Sequence, residues 1–189
     1  MTGLHAEPLN APLPQGVALR ELSEIGDGVE RTTAVYRNNW RLEIAPAQWN
    51  LVSSKPNTLR GVHVHLDHWD YLHVISGVML LGLHDLRSKS PTYRLSAQRR
   101  LAGEHPVSVA IPPGVAHGFY FVWPTTYFYA LSHYWTPLDD LGCRWNDPEL
   151  GLTWPTSDPL LSARDDSAPD YKSLAKAVAG AFEQGIEQT

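Results

Sequence analysis

The stretch Arg60-Gly61-Val62-His63-Val64-His65 decides the fold, together with the later stretch Ile111-Pro112-Pro113-Gly114-Val115-Ala116-His117. Alternate residues of a strand share one face of a sheet, so His63 and His65 are expected on the same face. If both stretches are strands of a small closed barrel, His117 can point into the same interior pocket. Imidazoles gathered in one pocket either ligate a metal ion or transfer protons, so the pattern predicts pocket chemistry.

Composition narrows the class of protein. The chain has 189 residues, enough to bury one sizeable core, and a formal net charge of -5. An acidic chain offers no basic surface for a polyanion, so neither nucleic acid nor an anionic membrane is an expected partner. The N-terminus lacks a signal-peptide pattern, no apolar run is long enough to span a membrane, and Cys143 is the single cysteine. A cytoplasmic protein without an internal disulfide or a cysteine-rich metal site is expected.

Short strand signals separated by turn formers predict an all-β sandwich or barrel rather than βαβ units. The expected strands cover residues 34–36, 41–44, 48–52, 62–66, 71–75, 78–83, 107–111, 119–122 and 127–131.

A helix is expected only near the C-terminus, where Asp170 could cap a run of good helix formers over 171–178. The resulting domain organisation has an irregular segment over 1–16, a barrel domain over 17–168 and a helical extension over 169–189.

Ordered motifs give the chain a family resemblance. The motifs are Leu59-Arg60-Gly61-Val62-His63, Asp85-Leu86-Arg87-Ser88-Lys89-Ser90-Pro91-Thr92-Tyr93, Ile111-Pro112-Pro113-Gly114-Val115-Ala116-His117-Gly118-Phe119, Trp145-Asn146-Asp147-Pro148-Glu149-Leu150 and Leu161-Ser162-Ala163-Arg164-Asp165. In this order they resemble the dTDP-4-dehydrorhamnose 3,5-epimerase family. The resemblance implies a cupin-type jelly roll, usually a homodimer. It further implies an epimerase of nucleotide-linked 4-keto-6-deoxy sugars in deoxysugar biosynthesis that requires no cofactor.

The resemblance assigns the reaction centre to three residues. His63 is implied as the base that removes the proton beside the ketone of the sugar. Asp165 is implied as the carboxylate that orients His63 through its other ring nitrogen and stabilises the imidazolium. Tyr129 is implied as the general acid on the opposite face of the sugar ring. Inversion needs proton removal and proton return on opposite faces, so a base and an acid across a pocket suit this reaction.

The same resemblance implies the substrate-binding residues. Arg60 corresponds to a contact with the diphosphate, a role suited to the paired donors of a guanidinium. Gln48 and Asn50 correspond to contacts with the nucleotide. His117 is implied near the ketone, and Trp135 is implied as an aromatic side chain against the substrate.

Three features depart from the family pattern. His65 stands where the family has a glutamine, and Asp70 stands where it has a lysine that helps to stabilise the enolate; no lysine lies between Lys55 and Lys89. A carboxylate in place of that lysine would repel the enolate unless a cation compensates. An N-terminal Arg-Gly-x-Phe-x-Glu element, which helps the family to bind thymidine, has no counterpart before Gln48.

Two of these departures create a second pattern, which matches the metal-binding spacing of cupins. Its ligands would be His63, His65, Asp70 and His117, with Asp70 in place of the usual glutamate. Such a set suits Fe, Mn, Ni, Zn or Cu, and a divalent ion could stabilise an enolate where the lysine is absent. A nitrogen of His63 bound to metal cannot also be the base on that face, so the two mechanisms compete.

Three functions therefore stay open. The first is the sugar epimerase, the second is a metal-dependent cupin oxygenase, isomerase or lyase acting on another small molecule, and the third is a small-molecule-binding cupin without catalysis. A homodimer is expected through strands near the N-terminus, where Tyr36, Trp40 and Trp49 offer apolar surface. His68 is expected on the outer side or rim of the barrel.

Overall fold

A computed structural model describes residue 8 and residues 11–40, 44–136 and 141–186, with side chains described as far as residue 182. These ranges contain twelve strands and two α-helices. The strands are β1 (Ala18–Glu21), β2 (Glu24–Gly26), β3 (Arg31–Thr33), β4 (Gln48–Ser54), β5 (Thr58–Val64), β6 (Asp70–Ser76), β7 (Val78–Asp85), β8 (Ser96–Ala102), β9 (Val107–Ile111), β10 (Val115–Phe121), β11 (Thr125–Leu131) and β12 (Leu141–Gly142). The helices are α1 (Ala163–Asp166) and α2 (Tyr171–Ile186).

Ten of the strands form two five-stranded antiparallel sheets. One sheet has the order β1-β9-β6-β11-β4 and the other has the order β12-β5-β10-β7-β8, while β2 and β3 pair as a separate ribbon. Apolar side chains from both sheets pack in one cluster, which includes Leu72 of β6, Leu81 of β7 and Val109 of β9. The sheets therefore face each other as in a jelly roll, and alternate residues of each strand point between them.

Helix α2 covers the outer face of the second sheet. Tyr171, Leu174 and Val178 of α2 are buried against Val64 of β5 and other core residues. The expected cap is present, because the Asp170 carboxylate accepts a hydrogen bond of 2.9 Å from the amide of Ser173. Neither helix in the described ranges is long and apolar enough to cross a membrane.

Strand β5 contains a bulge that brings residues of two strand faces to one surface. His117 of β10 pairs with His63, but Phe119 pairs with Arg60, so two residues of β5 lie opposite one of β10. Between them Gly61 has φ +104°, and a Cβ there would lie 2.8 Å from the carbonyl oxygen of His117. Glycine suits both this dihedral angle and this close approach. Because of the bulge, Arg60 and His63 face the same cavity although they are three residues apart.

The strand predictions hold best in the middle of the chain. Seven of the nine expected strands overlap observed strands, from β4 to β7 and from β9 to β11. The strand expected over 34–36 is wrong, since these residues have no regular structure, and most of the one expected over 41–44 lies outside the described residues. Strand β8 was not expected, because its sequence is polar. Its Arg99 is nevertheless buried and donates hydrogen bonds to the carbonyl oxygens of Ala11 (2.6 Å) and Pro12 (3.1 Å). The division into three segments stays a prediction.

Candidate active site

A cavity of about 380 Å³ opens between the two sheets, and strand alternation determines which side chains reach it. Four strands each contribute side chains two residues apart. The cavity is lined by Gln48, Asn50, Arg60, His63, His65, His68, Asp70, Leu72, His117, Phe119, Tyr127, Tyr129, Leu131, Trp135 and Arg164. Every residue implied as catalytic or substrate-binding lines this cavity, apart from Asp165, which lies behind His63.

His63 and Asp165 form a close pair, the dyad, at one side of the cavity. Nε2 of His63 lies 2.6 Å from Oδ1 of Asp165, and the carboxylate is almost completely buried. Its other oxygen accepts a hydrogen bond of 2.7 Å from the hydroxyl of Ser162, which also caps α1 by accepting from the amide of Asp165. With Nε2 donating to the carboxylate, the lone pair of His63 is left on Nδ1, which is the form of a general base.

The carboxylate of Asp165 is held in its charged form. Burial raises the pKa of Asp165, but the hydrogen bonds from His63 and Ser162 and the charge of Arg60 outweigh burial, so the pKa lies below its ordinary value. Nε of Arg60 is 3.6 Å from Oδ2 of Asp165, and the Arg60 side chain remains 45% exposed toward the cavity mouth. Arg60 can therefore face a substrate anion while it supports the dyad.

Tyrosines occupy the wall opposite the dyad. Tyr129 of β11 belongs to the sheet that faces β5, and its ring stacks on that of Tyr127 with centroids 6.3 Å apart. Burial, with a smaller contribution from Tyr129, raises the pKa of Tyr127 to about 12, so Tyr127 stays protonated. Asn50 is the register partner of Tyr129 on β4. An imidazole on one sheet and a phenol on the other line the same cavity, an arrangement suited to proton transfer on two faces of a ligand.

Polar residues at the edge strand β4 form the rim of the cavity. Nε2 of Gln48 donates to Oδ1 of Asn50 at 3.1 Å, and Oε1 of Gln48 accepts from the amide of Trp135 at 3.1 Å. The amide nitrogen Nδ2 of Asn50 is buried without a hydrogen-bond partner among the described residues. A buried donor of this kind is stabilised when a ligand supplies an acceptor.

A second group of titratable side chains lies deeper in the cavity. One ligand atom each from His65, Asp70 and His117 lies within 4.8 Å of the others, and all three residues are buried. Oδ2 of Asp70 is 3.6 Å from Nε2 of His65 and 3.7 Å from Nε2 of His117. Burial, with the nearby His65 and His63, holds the pKa of His117 well below its ordinary value, so His117 is neutral.

The structure brings together three of the four residues in the metal set expected from sequence. His65, Asp70 and His117 form the group, while His63 turns its Nε2 to Asp165. The reason is the hydrogen bond to a charged carboxylate, which is stronger than a contact between imidazoles.

A histidine and an arginine of the cavity were not identified from sequence. His68, expected on the outer side or rim, is 2% exposed; its ring stacks on His65 with centroids 4.0 Å apart, and its Nε2 is 4.0 Å from Oδ2 of Asp70. His68 lies in the turn between β5 and β6, where no strand period predicts its direction. Arg164 also lines the cavity, and its position beside Asp165 in the last ordered motif was the available signal.

Sequence comparison identifies relatives of known function. The sequence profile of the family described as dTDP-4-dehydrorhamnose 3,5-epimerase matches residues 24–173 of this chain. The dTDP-4-dehydrorhamnose 3,5-epimerase of Salmonella typhimurium is 33% identical over 127 residues, which are 65% of this chain and 69% of that protein.

Solved structures share the architecture. NovW of Streptomyces spheroides, a 4-keto-6-deoxy sugar epimerase from the novobiocin biosynthetic gene cluster, is 29% identical, with a TM-score of 0.78 over 93% of this chain and 89% of NovW. ChmJ of Streptomyces bikiniensis, a 3'-monoepimerase solved with dTDP-quinovose, is 25% identical, with a TM-score of 0.80 over 94% of this chain and 97% of ChmJ. These matches confirm the all-β, cupin-type jelly roll with a short C-terminal helix.

Proposed function

The chain belongs to the dTDP-4-dehydrorhamnose 3,5-epimerase family, and from that premise we propose that it is an isomerase that epimerises a nucleotide-linked 4-keto-6-deoxy sugar. The observation that carries this proposal is the His63–Asp165 contact of 2.6 Å inside a cavity that also contains Tyr129 on the facing sheet. In this reaction His63 removes the proton at C3 or C5, beside the ketone. Tyr129 returns a proton to the same carbon from the opposite face.

The charge on the dyad suits this direction of proton transfer. The carboxylate of Asp165 stabilises the imidazolium that forms when His63 accepts the proton, and Ser162 and Arg60 keep that carboxylate ionised. Burial raises the pKa of Tyr127 to about 12, so its phenol is a weaker acid than an ordinary tyrosine and a poorer proton donor. This proton transfer needs no organic cofactor, because the ketone of the substrate itself acidifies the neighbouring C–H bond.

The rim of the cavity supports a nucleotide diphosphate sugar as the substrate. Arg60 and Arg164 are the cavity-lining cations of the described residues, and they suit the diphosphate. The buried donor of Asn50 and the amide of Gln48 suit a nucleobase, and the half-exposed Trp135 suits packing against base or sugar. ChmJ was solved with dTDP-quinovose, so dTDP is the first carrier to test.

Proton exchange with solvent tests the function directly. Candidate 4-keto-6-deoxy sugars linked to dTDP, UDP, GDP and CDP are incubated with the protein in D₂O, and deuterium at C3 and C5 is followed by NMR. Incorporation at one or both carbons, lost in His63→Asn, is the expected result. Absence of exchange with all four carriers would contradict the proposal, and tight binding without exchange would favour a binding protein.

A second candidate function, a metal-dependent cupin enzyme on another small molecule, is favoured by the His65, Asp70 and His117 cluster. Proton exchange in the sugar nucleotides argues against it, while metal-dependent turnover of a different substrate would support it.

A homodimer in the cytoplasm completes the proposal. Trp49 and Leu51 of β4 are 46% and 71% exposed, and β4 is the last strand of its sheet. Trp49 packs edge to face on Tyr36 and Tyr71, so the apolar surface is held in place. An apolar sheet edge is suited to pairing with a second copy of the chain. Light scattering at micromolar concentration is expected to give the mass of a dimer, and a monomer would contradict this.

A further inference from the structure

The deep cluster of His65, Asp70 and His117 has separations typical of ligands that share one ion. Two ligand atoms bound to the same tetrahedral Zn²⁺ are about 3.4 Å apart, since each lies about 2.1 Å from the metal. The two imidazole nitrogens are 3.6 and 3.7 Å from Oδ2 of Asp70. These distances are too long for hydrogen bonds between the same atoms. Two of the three separations are therefore close to those of ligands on one ion, and the ligand atoms of the two imidazoles lie within 4.8 Å of each other.

The backbone around His117 supports the same assignment. Nδ1 of His117 lies 3.2 Å from the carbonyl oxygen of Val115, so Nδ1 carries the proton and Nε2 presents its lone pair toward Asp70. A histidine that ligates metal through one nitrogen usually donates its other N–H to a carbonyl or carboxylate in this way. His65 is fixed independently, by its stacking on the ring of His68. Both imidazole ligands are therefore held in place by contacts outside the cluster.

The cluster and the dyad do not compete for the same atoms. His63 and His117 are register partners on β5 and β10, so the two groups lie side by side in one cavity. His63 is outside the cluster because its Nε2 is bound to Asp165. An ion on His65, Asp70 and His117 would leave Nδ1 of His63 available as the base.

We infer that His65, Asp70 and His117 bind one divalent transition-metal ion, of the kind that two imidazoles and one carboxylate select, such as Zn²⁺ or Fe²⁺. The binding site stands on the geometry alone, while its role rests on the proposed function. That role is to supply positive charge where the negative charge of the enolate develops, at the position where the family pattern has a lysine. The proton goes to His63 and the electron pair moves to the ketone oxygen, so no oxidant or reductant is needed.

Metal analysis of the full-length protein, purified without chelator, tests the site. About one ion per chain is expected in the wild type, and mass spectrometry of the metals distinguishes zinc from iron. Asp70→Asn and His65→Gln should each weaken binding by at least about 100-fold, because each removes a direct ligand. His63→Asn should keep the ion, as should the matched control His105→Gln, which removes an exposed imidazole far from the cavity. Loss of the ion in His63→Asn to the same extent as in Asp70→Asn would overturn the three-ligand site.

A direct titration covers the case in which a ligand variant does not fold. Wild-type protein stripped with chelator and titrated with Co²⁺ should develop the visible absorption bands of a cobalt ion with nitrogen and oxygen ligands. Competing Zn²⁺ should remove these bands. Absence of Co²⁺, Zn²⁺ and Fe²⁺ binding to the stripped, folded protein would refute the site.

The double variant His65→Gln/Asp70→Lys separates the role of the ion from the proposed function. It places the glutamine and the lysine of the family pattern in this chain, so it should bind no ion and yet retain deuterium exchange, since an ammonium group supplies the charge. If the wild type binds the ion but shows no deuterium exchange with any of the four nucleotide-linked sugars, the metal site stands and the proposed function is refuted. If the exchange rate is unchanged after complete removal of the metal, the ion has no part in the reaction, while the proposed function stands.

Discussion

Two buried carboxylates, Asp165 and Asp70, face histidines in the same cavity, but they do so at different distances. Asp165 receives hydrogen bonds of 2.6 Å from His63 and 2.7 Å from Ser162. Nε2 of His65 and Nε2 of His117 lie 3.6 and 3.7 Å from Oδ2 of Asp70. The first spacing suits a base, because it fixes which ring nitrogen carries the proton. The second suits ligands that share an ion, so pairs of the same residue types are suited to different chemistry.

The largest expected effect is that of replacing His63, the histidine that contacts Asp165. His63→Asn should lower deuterium exchange by about 10³- to 10⁴-fold, because the base itself is removed. The measurement is the initial rate of deuterium incorporation at C3 and C5 at saturating substrate. Retention of most of the wild-type rate in a folded His63→Asn protein would assign the base to another residue.

Asp165→Asn should have a smaller effect, about 10²-fold on the same exchange rate, because His63 stays in place while its preferred tautomer is lost. An amide at this position can donate to Nε2 and drive the proton onto Nδ1, which then has no lone pair for the substrate. The pH dependence of exchange distinguishes this cause from misfolding, since a changed tautomer shifts the pH profile and a lower folded fraction does not. An unchanged rate would show that Asp165 only supports the fold.

Tyr129→Phe should separate proton removal from inversion. The variant is expected to keep most of the deuterium wash-in, since His63 and Asp165 are unchanged, while formation of the inverted sugar falls by about 10²-fold. NMR of the same samples reports both quantities. The neighbouring Tyr127→Phe is the matched control, because a phenol with a pKa raised to about 12 should not be the proton donor. If inversion is lost in Tyr127→Phe but not in Tyr129→Phe, Tyr127 rather than Tyr129 is the proton donor.

Asp85 is a third buried carboxylate, outside the cavity, and it should affect stability rather than exchange. It accepts hydrogen bonds of 2.8 Å from Nε of Arg87, 2.7 Å from Ser90 and 2.6 Å from Thr92. Asp85→Asn should lower the free energy of unfolding at pH 7 by about 2–3 kcal/mol, because it leaves Arg87 without its anion. The rate of deuterium exchange per folded molecule should match that of the wild type. Urea unfolding curves give the folded fraction that this comparison needs.

The dependence of stability on acid pH provides a second test of the role of Asp85. Burial raises the pKa of Asp85, but hydrogen bonds from Arg87, Thr92 and Ser90 outweigh it, so the pKa lies below the ordinary value of 3.8. A lowered carboxyl pKa contributes stability that is present above pH 3.8 and is lost as the pH falls through the lowered value. The difference in unfolding free energy between wild type and Asp85→Asn should therefore shrink below pH 3.8. A difference that stays constant from pH 7 to pH 3 would contradict this.

The sequence predicted much of the site, by two different routes. Alternation placed His63 and His65 in the interior, and family motifs identified Asp165, which is 102 residues from His63 and has no local signal. Alternation did not predict that Arg60 also faces the cavity, because the bulge at Gly61 changes the strand period between Arg60 and His63. His68 was missed for a similar reason, since it lies between strands.

The amino-acid sequence alone determined the all-β class, the family and the residue types of both carboxylate groups. Those properties follow from strand alternation and from ordered motifs, both of which can be recognised in the linear sequence. Only the tertiary structure decided between the two groups, dyad and metal set, that the sequence left open for His63. His63 could belong to either group by spacing, and its assignment depends on α1, which brings Asp165 and Ser162 to β5 from a distant part of the chain. Contact between residues far apart in sequence depends on the packing of whole elements, so a local pattern cannot encode it.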